Sequence, residues 1–321
     1  MTSLSSRSRR RFLQGTLASL AAAGMTSLRP SLALAQEPAK AKEPTTFQIA
    51  CMTLPYSAFP LQRALEGIKG AGYAYVAWGT SHTERGESKR TPVMAHDAAP
   101  KYAKELGKRC RDMGLTPVMM FSTIYPEHED GISIFTNRIK QAQAAGIGQV
   151  LTFGHTRGGN HALWVERFKK LGPIAKDNGV MIVIKQHGGE TGTGEACAKI
   201  VREIDHPSIK VNYDAGNVMD YLNVDPIPDI AKCAAEVRSF CIKDHRNFPK
   251  DQDCGPGFGE IDHYKLLHHV SHTGLMMPLC CENIFAPVID RPKEPEGVDA
   301  LGKRAREFLE VVIAGLGAKV G

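Results

Sequence analysis

The sequence predicts an α/β protein, a (β/α)8 TIM barrel, from three observations. Strand-like and helix-like segments alternate eight times along residues 47–321. The strand-like segments are continuous apolar runs, as parallel strands covered on both faces must be. The length fits one large domain, because α/β barrels reach this size around a single core. A doubly wound open sheet is the competing architecture. No G-x-G-x-x-G follows the first strand, so a nicotinamide cofactor has no support.

The elements follow in order. FQIACMT (47–53) is the first strand, and LQRALEGIKGAG carries helical spacing after it. YAYVAWG (73–79) is the second strand, and APKYAKELGKRCRDMG is an amphipathic helix closed by Gly114. LTPVMMFS (115–122) is the third strand, ISIFTNRIKQAQAAG a helix and QVLTFG (149–154) the fourth strand. ALWVERFKKLGPIAKDNG is helical and VMIVIKQ (180–186) is the fifth strand. GEACAKIVREI is a helix before the sixth strand, IKVNYDAGN (209–217). IPDIAKCAAE precedes the seventh, VRSFCIKD (237–244), and DHYKLLHHVSHTG precedes the eighth, MMPLCCEN (276–283). A last helix covers 298–315.

Residues 1–35 read differently. An arginine cluster leads into a mildly apolar, Ala-rich run and then ALA before Gln36. That is the layout of an export signal with cleavage after Ala35. Ser8, Arg9, Arg10, Arg11, Phe12 and Leu13 match the twin-arginine pattern S-R-R-x-F-L. The apolar run is too short and too rich in Ala and Gly to span about 30 Å of hydrocarbon comfortably. The expectation is export by the twin-arginine route to the periplasm or another extracytoplasmic space, with no stable membrane association after signal removal. Residues 36–46, QEPAKAKEPTT, read as a polar linker, and 47–321 as the barrel domain.

Charge and cysteine narrow the function classes. The signal holds five arginines and no acid, so the formal charge of +6 falls to +1 without it. The barrel therefore has no electrostatic reason to seek nucleic acid or an anionic membrane. The eight cysteines show no C-x-x-C pair and no zinc-ribbon spacing. Cys280 and Cys281 lie in an apolar run and are expected to be buried.

In such a barrel the active site lies at the C-terminal ends of the strands. The fourth strand ends at His155, and the fifth at Lys185 and His187. The sixth carries Asp214 and Asn217, the seventh Lys243, Asp244 and His245, and the eighth Glu282 and Asn283. Strand side chains alternate with period two. Lys185 and His187 therefore share a face, as do Cys241, Lys243 and His245. Taken singly, each residue has a structural reading: a histidine bonded within a loop, an aspartate capping a helix, a local Lys243–Asp244 ion pair. Together they point to a site, because unpaired charges at a barrel mouth are costly unless they pair or hold a metal. His, Asp and Glu from different strands form a ligand set suited to Mn, Mg, Co or Zn.

At these residues the sequence resembles the xylose isomerase-like barrels, the sugar phosphate isomerases/epimerases. IKVNYDAGN resembles the family's strand-six segment, which ends D-x-G-N or D-x-G-H. FCIKDH resembles its strand seven, H-V-K-D, and CGPGFGEIDHYKLLHHVSHTG its G-x-G-x-I-D segment with the helix that follows. PLCCEN resembles strand eight with its metal-binding Glu, and GIKGAGYAYVAWG more loosely the second-strand entry GYDGVEL. The resemblance implies one divalent metal held by Glu, Asp, His and Glu from strands five to eight. Asp214 and Glu282 match two of these. Lys185 stands where the strand-five Glu is expected, Cys241 where the strand-seven His is expected, and Ala77 replaces the second-strand Glu. His187 and His245 are in phase to compensate, which gives His187, Asp214, His245 and Glu282 as the expected ligands. In the competing metal-free arrangement, Lys185 pairs with Glu282 or Asp214 in the space the metal would occupy.

The implied activity is a sugar isomerase or epimerase acting on a free or oxidised carbohydrate by proton transfer next to a carbonyl. Glu282 or Asp214 is the expected base. Lys185, with a pKa lowered by other cations, is the expected acid/base. His155, Lys243 and Arg246 are expected to bind substrate. The alternatives are an inosose dehydratase-like or keto-sugar lyase, and a carbohydrate-binding barrel without catalysis. A nuclease of the apurinic-site type is disfavoured by the missing His/Glu/Asp set and the near-neutral barrel. The resemblance also allows a homodimer.

Overall fold

The computed structural model describes residues 43–83 and 89–321. The expected export signal, and the linker up to residue 42, lie outside the described residues.

Eight parallel strands close into a barrel: β1 (Thr46–Met52), β2 (Tyr75–Trp78), β3 (Thr116–Phe121), β4 (Gln149–Phe153), β5 (Met181–Lys185), β6 (Ile209–Tyr213), β7 (Val237–Ile242) and β8 (Met276–Cys281). Neighbours in sequence are neighbours in the sheet, and β8 pairs with β1 in register from Thr46↔Met276 to Cys51↔Cys281. The expected (β/α)8 barrel is thus the observed fold. Closure removes both sheet edges, and each strand is covered on two sides, which is why the strand sequences are apolar throughout. Residues 319–320 add a short parallel segment to β1.

The main helices are α1 (Leu61–Gly70), α2 (Pro100–Asp112), α3 (Gly131–Ala145), α4 (His161–Asp177), α5 (Gly194–Ile204), α6 (Ala215–Leu222), α7 (Pro226–Ala231), α8 (His263–His268) and α9 (Pro295–Gly315). Their starts follow local chemistry. Asn160 accepts from Leu163 N, Thr193 from Ala196 N and Asp262 from Lys265 N. Each side chain satisfies one of the amide groups left open at a helix start. The core has two parts. One lies between barrel and helices, with Phe47, Trp78, Phe135, Trp164, Phe168, Tyr213 and Phe240 among its largest members. The other fills the lumen with Ala50, Met52, Met119, Phe121, Leu151, Val183, Cys241 and Cys280. All eight cysteines are buried and free, Cys280 and Cys281 among them. Among the described residues, no helix is long and apolar enough to cross a membrane.

Two differences from the sequence reading shape the site. The sixth strand ends at Tyr213, because Asp214 turns the chain into α6 by accepting from Asn217 N at 3.0 Å. The seventh ends at Ile242, and residues 244–246 pair antiparallel with 252–254 as a separate ribbon. A second ribbon joins 81–83 to 90–92.

Helices α2 and α3 approach so closely that a Cβ on Gly107 would lie 2.5 Å from the carbonyl oxygen of Ala145. Backbone cannot yield as a flexible side chain does. Gly107→Ala is therefore expected to destabilise the fold by about 1–3 kcal/mol, seen as a lower denaturant midpoint at unchanged slope.

Candidate active site

The C-terminal ends of β5, β6, β7 and β8 bring together Lys185, Asp214, Lys243 and Glu282. Lys185 is 2 % exposed. Its Nζ lies 3.0 Å from both carboxylate oxygens of Glu282 and 3.1 Å from Asp214 Oδ2. The ammonium also faces the rings of Phe121 and Phe153, at 5.2 and 5.7 Å. Lys243 Nζ lies 3.1 Å from Asp253 Oδ2, 3.6 Å from Asp214 Oδ2 and 3.9 Å from Glu282 Oε2. It also donates to Asn217 Oδ1. The result is two buried ammonium groups against one buried carboxylate, Asp214, and one partly buried one, Glu282.

The surrounding polar groups fix this cluster. Gln186 Oε1 accepts from Asp214 N, and Gln186 O accepts from Asn217 Nδ2, both at 2.7 Å. Asn217 thereby ties the end of β5 to α6 and to Lys243. Asp244 does not pair with Lys243. Its carboxylate accepts four backbone amides, from His245, Gly257, Gly259 and Ile261, at 2.9–3.0 Å. The segment GPGFGEI is wrapped around that buried carboxylate, and a Cβ on Gly259 would lie 2.3 Å from Asp244 Oδ1. The glycines of "HGG" have a similar reason. A Cβ on Gly188 would meet Thr156 O at 2.4 Å, and one on Gly189 would meet Gly158 O at 2.2 Å. They admit the backbone of the neighbouring loop rather than substrate.

Burial and charge act on these groups in opposite directions. Burial works to lower the Lys185 ammonium, but Glu282 and Asp214 outweigh it and hold the pKa above the ordinary lysine value. Lys243 is raised in the same way, against burial, by Asp214, Glu282 and Asp253. The expected lowering of Lys185 is thus reversed, because its nearest neighbours are anions. Burial pushes Asp214 up to about 6, with Lys243 and Lys185 opposing. For Glu282, burial is overcome by Lys185 and Lys243, which hold it down to about 2. Cys241 is raised by burial and by Glu282, so it is a thiol rather than a thiolate.

The expected metal set is not assembled as one group. Asp214, Cys241 and Glu282 offer ligand atoms within 4.8 Å of one another. His245 falls instead in a separate group with Asp220 and Asp251. Its Nδ1 donates to Asp253 at 3.0 Å, and its Nε2 lies 3.2 Å from Asp251 Oδ1. The period-two count from Cys241 fails because β7 ends before the ribbon carrying His245 begins. His187 donates from Nδ1 to Gly154 O at 2.8 Å, and its ring packs on Phe153 and Tyr221. Burial, reinforced by Lys185 and Lys243, lowers its pKa, which leaves a neutral imidazole with its lone pair on Nε2.

The donor set at the barrel mouth does not fit a divalent ion. Asp214 Oδ2 is buried without a hydrogen bond, as a ligand atom would be, but Lys185 and Lys243 already face it and Glu282. A unit charge repels another by about 4 kcal/mol at 4 Å in an effective dielectric of 20. A divalent ion doubles that against each ammonium.

Of the expected substrate-binding residues, Lys243 lines a cavity of about 260 Å³ with Glu282, Asn283, Asp253, Arg90, Arg291 and Phe285. His155 lies apart, stacked 3.8 Å from Tyr125 and 4.0 Å from Glu127. Arg246 donates from Nε to Phe248 O within its own loop. The sequence reading missed Asp253, Arg90 and Arg291. Asp253 carried a signal, as an acid eight residues beyond His245. The two arginines are brought in by loops far away in sequence.

A parallel eight-stranded barrel thus carries a cluster of charged residues at its C-terminal mouth, the end at which barrels of this kind build their sites. The model of the xylose isomerase-like TIM barrel family matches residues 65–304, and the chain belongs to that family. Solved structures agree on the fold. A xylose isomerase-like TIM barrel protein from Mycobacterium smegmatis in complex with magnesium is 16% identical, with a TM-score of 0.64 over 85% of this chain and 97% of that one. An L-ribulose 3-epimerase is 14% identical, with a TM-score of 0.61 over 84% and 95%. A probable 3-DHS dehydratase from Bacillus anthracis is 11% identical, with a TM-score of 0.58 over 82% and 98%. No curated protein matches the chain at a significant level.

Removing Lys185 leaves two carboxylates buried without their closest counterion. Lys185→Met is expected to cost about 3–5 kcal/mol in chemical denaturation. The pH dependence has a definite sign. Glu282 falls from 4.5 to about 2 on folding, so its ion pairs stabilise above pH 4.5 and that stability is lost as pH falls toward 2. Asp214 rises from 3.8 to about 6, so its contribution declines as pH rises through that window. The stability gap between wild type and Glu282→Gln should be full at neutral pH and shrink as pH falls from 4.5 toward 2, measured by thermal unfolding.

Proposed function

We propose that this protein is a sugar isomerase or epimerase that moves a proton on the carbon beside a carbonyl of a free or oxidised carbohydrate. The observation that carries this reading is the Lys185–Asp214–Lys243–Glu282 cluster, opening through Lys243 and Glu282 into the adjoining cavity. Family membership and an epimerase of the same fold support it. The twin-arginine pattern of residues 8–13 supports an exported location, where free sugars outnumber sugar phosphates.

The chain's own residues supply each step. Lys243 hydrogen-bonds the substrate carbonyl oxygen and stabilises the negative charge that develops there. Arg90 and Arg291 on the cavity wall suit hydroxyls or a carboxylate of the sugar. Glu282, with 12 % of its side chain exposed, is the carboxylate that reaches the cavity; Asp214 is closed off behind it. Glu282 takes the proton from carbon. Its low proton affinity in the free protein comes from the two ammonium groups. An oxyanion forming beside Lys243 competes for that charge, so the affinity of Glu282 rises as the enediolate forms. Glu282, protonated in that step, is the group that returns the proton to carbon. The implied Mn, Mg, Co or Zn ion takes part in no step of this scheme. Return of that proton from Glu282 to the adjacent carbon, with the hydroxyl proton passing to the former carbonyl oxygen, gives isomerisation. A proton delivered by water to the opposite face, with Glu282 releasing its own to solvent, gives epimerisation. Loss of a β-hydroxyl as water gives elimination.

Deuterium incorporation from heavy water into candidate free and oxidised sugars, followed by NMR, tests the proposal. Wild type should exchange the hydrogen beside the carbonyl, and Glu282→Gln should slow that exchange at least about 100-fold. Binding of sugars with no exchange in any of them would leave a carbohydrate-binding barrel. Appearance of a dehydrated product would make the protein a lyase.

A further inference from the structure

We infer that Lys185 and Lys243 stand in the place of the divalent ion found in relatives of this fold, so that the site is built to work without a metal. The inference concerns the pocket assigned above as the active site, but its test does not require the substrate to be known.

Three observations carry it. First, Lys185 Nζ sits among three carboxylate oxygens from two residues just beyond the ends of β6 and β8, at 3.0, 3.0 and 3.1 Å, the position from which a cation holds two acids together. Second, Lys243 adds another ammonium within 4.0 Å of both acids and is itself fixed by Asp253 and Asn217. Asp214 and Glu282 each face both ammonium groups, so neither offers a dication a carboxylate without a cation already beside it. Third, the imidazoles do not join the acids. His245 is held by Asp253 and grouped with Asp220 and Asp251, and His187, anchored through Nδ1 on Gly154 O, is not among the ligand atoms gathered at Asp214, Cys241 and Glu282. Lys185 then holds the two acids together, and Lys243, which alone of the two lysines lines the cavity, is the electrophile.

The chemistry differs from that of a metal site. A metal chelates two neighbouring substrate oxygens at once, whereas an ammonium donates single hydrogen bonds. Chelators therefore have nothing to remove.

The test is a calorimetric titration with Mn²⁺ of the full chain, stripped with chelator. It is carried out in an Asp251→Asn background so that the outer His245 group cannot take the ion. The parent should show no saturable binding that depends on Glu282. Adding Lys185→Glu should give binding at least about tenfold tighter, because it replaces a repelling charge with a ligand. Should that protein not fold, as judged by circular dichroism, Lys185→Gln removes the repulsion alone and should also tighten binding. Parent binding that disappears in Glu282→Gln would overturn the inference. So would a folded Lys185→Glu protein that gains none. Absence of sugar exchange would sink the proposed activity and leave this result standing. If exchange is found, it should survive the chelator unchanged.

Discussion

The site depends on one buried ammonium. Lys185 ends a strand whose other residues are apolar, and it is nearly closed off from water. A charge in that position must be matched, and the matching acids come from β8 and from the turn after β6. Breaking such an arrangement costs more than making it gains, because the remaining charge has no water to turn to. The cluster therefore ties the mouth of the barrel across strands that are not neighbours in the sheet. It also sets the proton affinities there, lowering Glu282, while burial raises Asp214, which is the more deeply enclosed of the two.

Structural and chemical roles are held by the same atoms. Asp214 caps α6 through one oxygen and faces the two lysines through the other. Asn217 donates to the backbone of Gln186 and accepts from Lys243, so the first turn of α6 orients the Lys243 ammonium. Asp244, two residues beyond the end of β7, spends its carboxylate on four loop amides and so shapes the rim without entering the chemistry. Motifs that look like site signatures in the sequence thus divide into those that gather in the charged cluster and those that hold the loops. The glycine-rich segments at 188–189 and 255–259 belong to the second kind.

The family fold accommodates more than one electrostatic solution. A metal concentrates charge at a point and demands several anionic or neutral ligands around it. An ammonium delivers less charge but arrives with its own covalent tether and needs only acceptors. With Lys185 in place of the expected Glu and Cys241 in place of the expected His, the acids at this mouth face two ammonium groups. Both substitutions fall on inward-facing positions of the barrel, where an isolated change of charge would otherwise be destabilising. The acids that remain explain why it is tolerated.

Much of this was legible in the sequence. Eight continuous apolar runs separated by helical spacing fixed the barrel, because burial on both faces leaves a parallel strand no other composition. The strand-end rule then singled out Lys185, His187, Asp214, Lys243 and Glu282, since polar residues at the end of such runs have few other reasons to be there. Period two placed Lys185 and His187 on one face, and both do pack against Phe153. What only the tertiary structure decided is which of these groups meet. The alternation rule holds while a strand lasts, and β7 stops at Ile242, so His245 swings into a ribbon with its own acids. Spacing along one strand cannot report distances between strands, and the charge state of Lys185 depends on those distances: with cations nearby its pKa would fall, and with Glu282 and Asp214 in contact it rises.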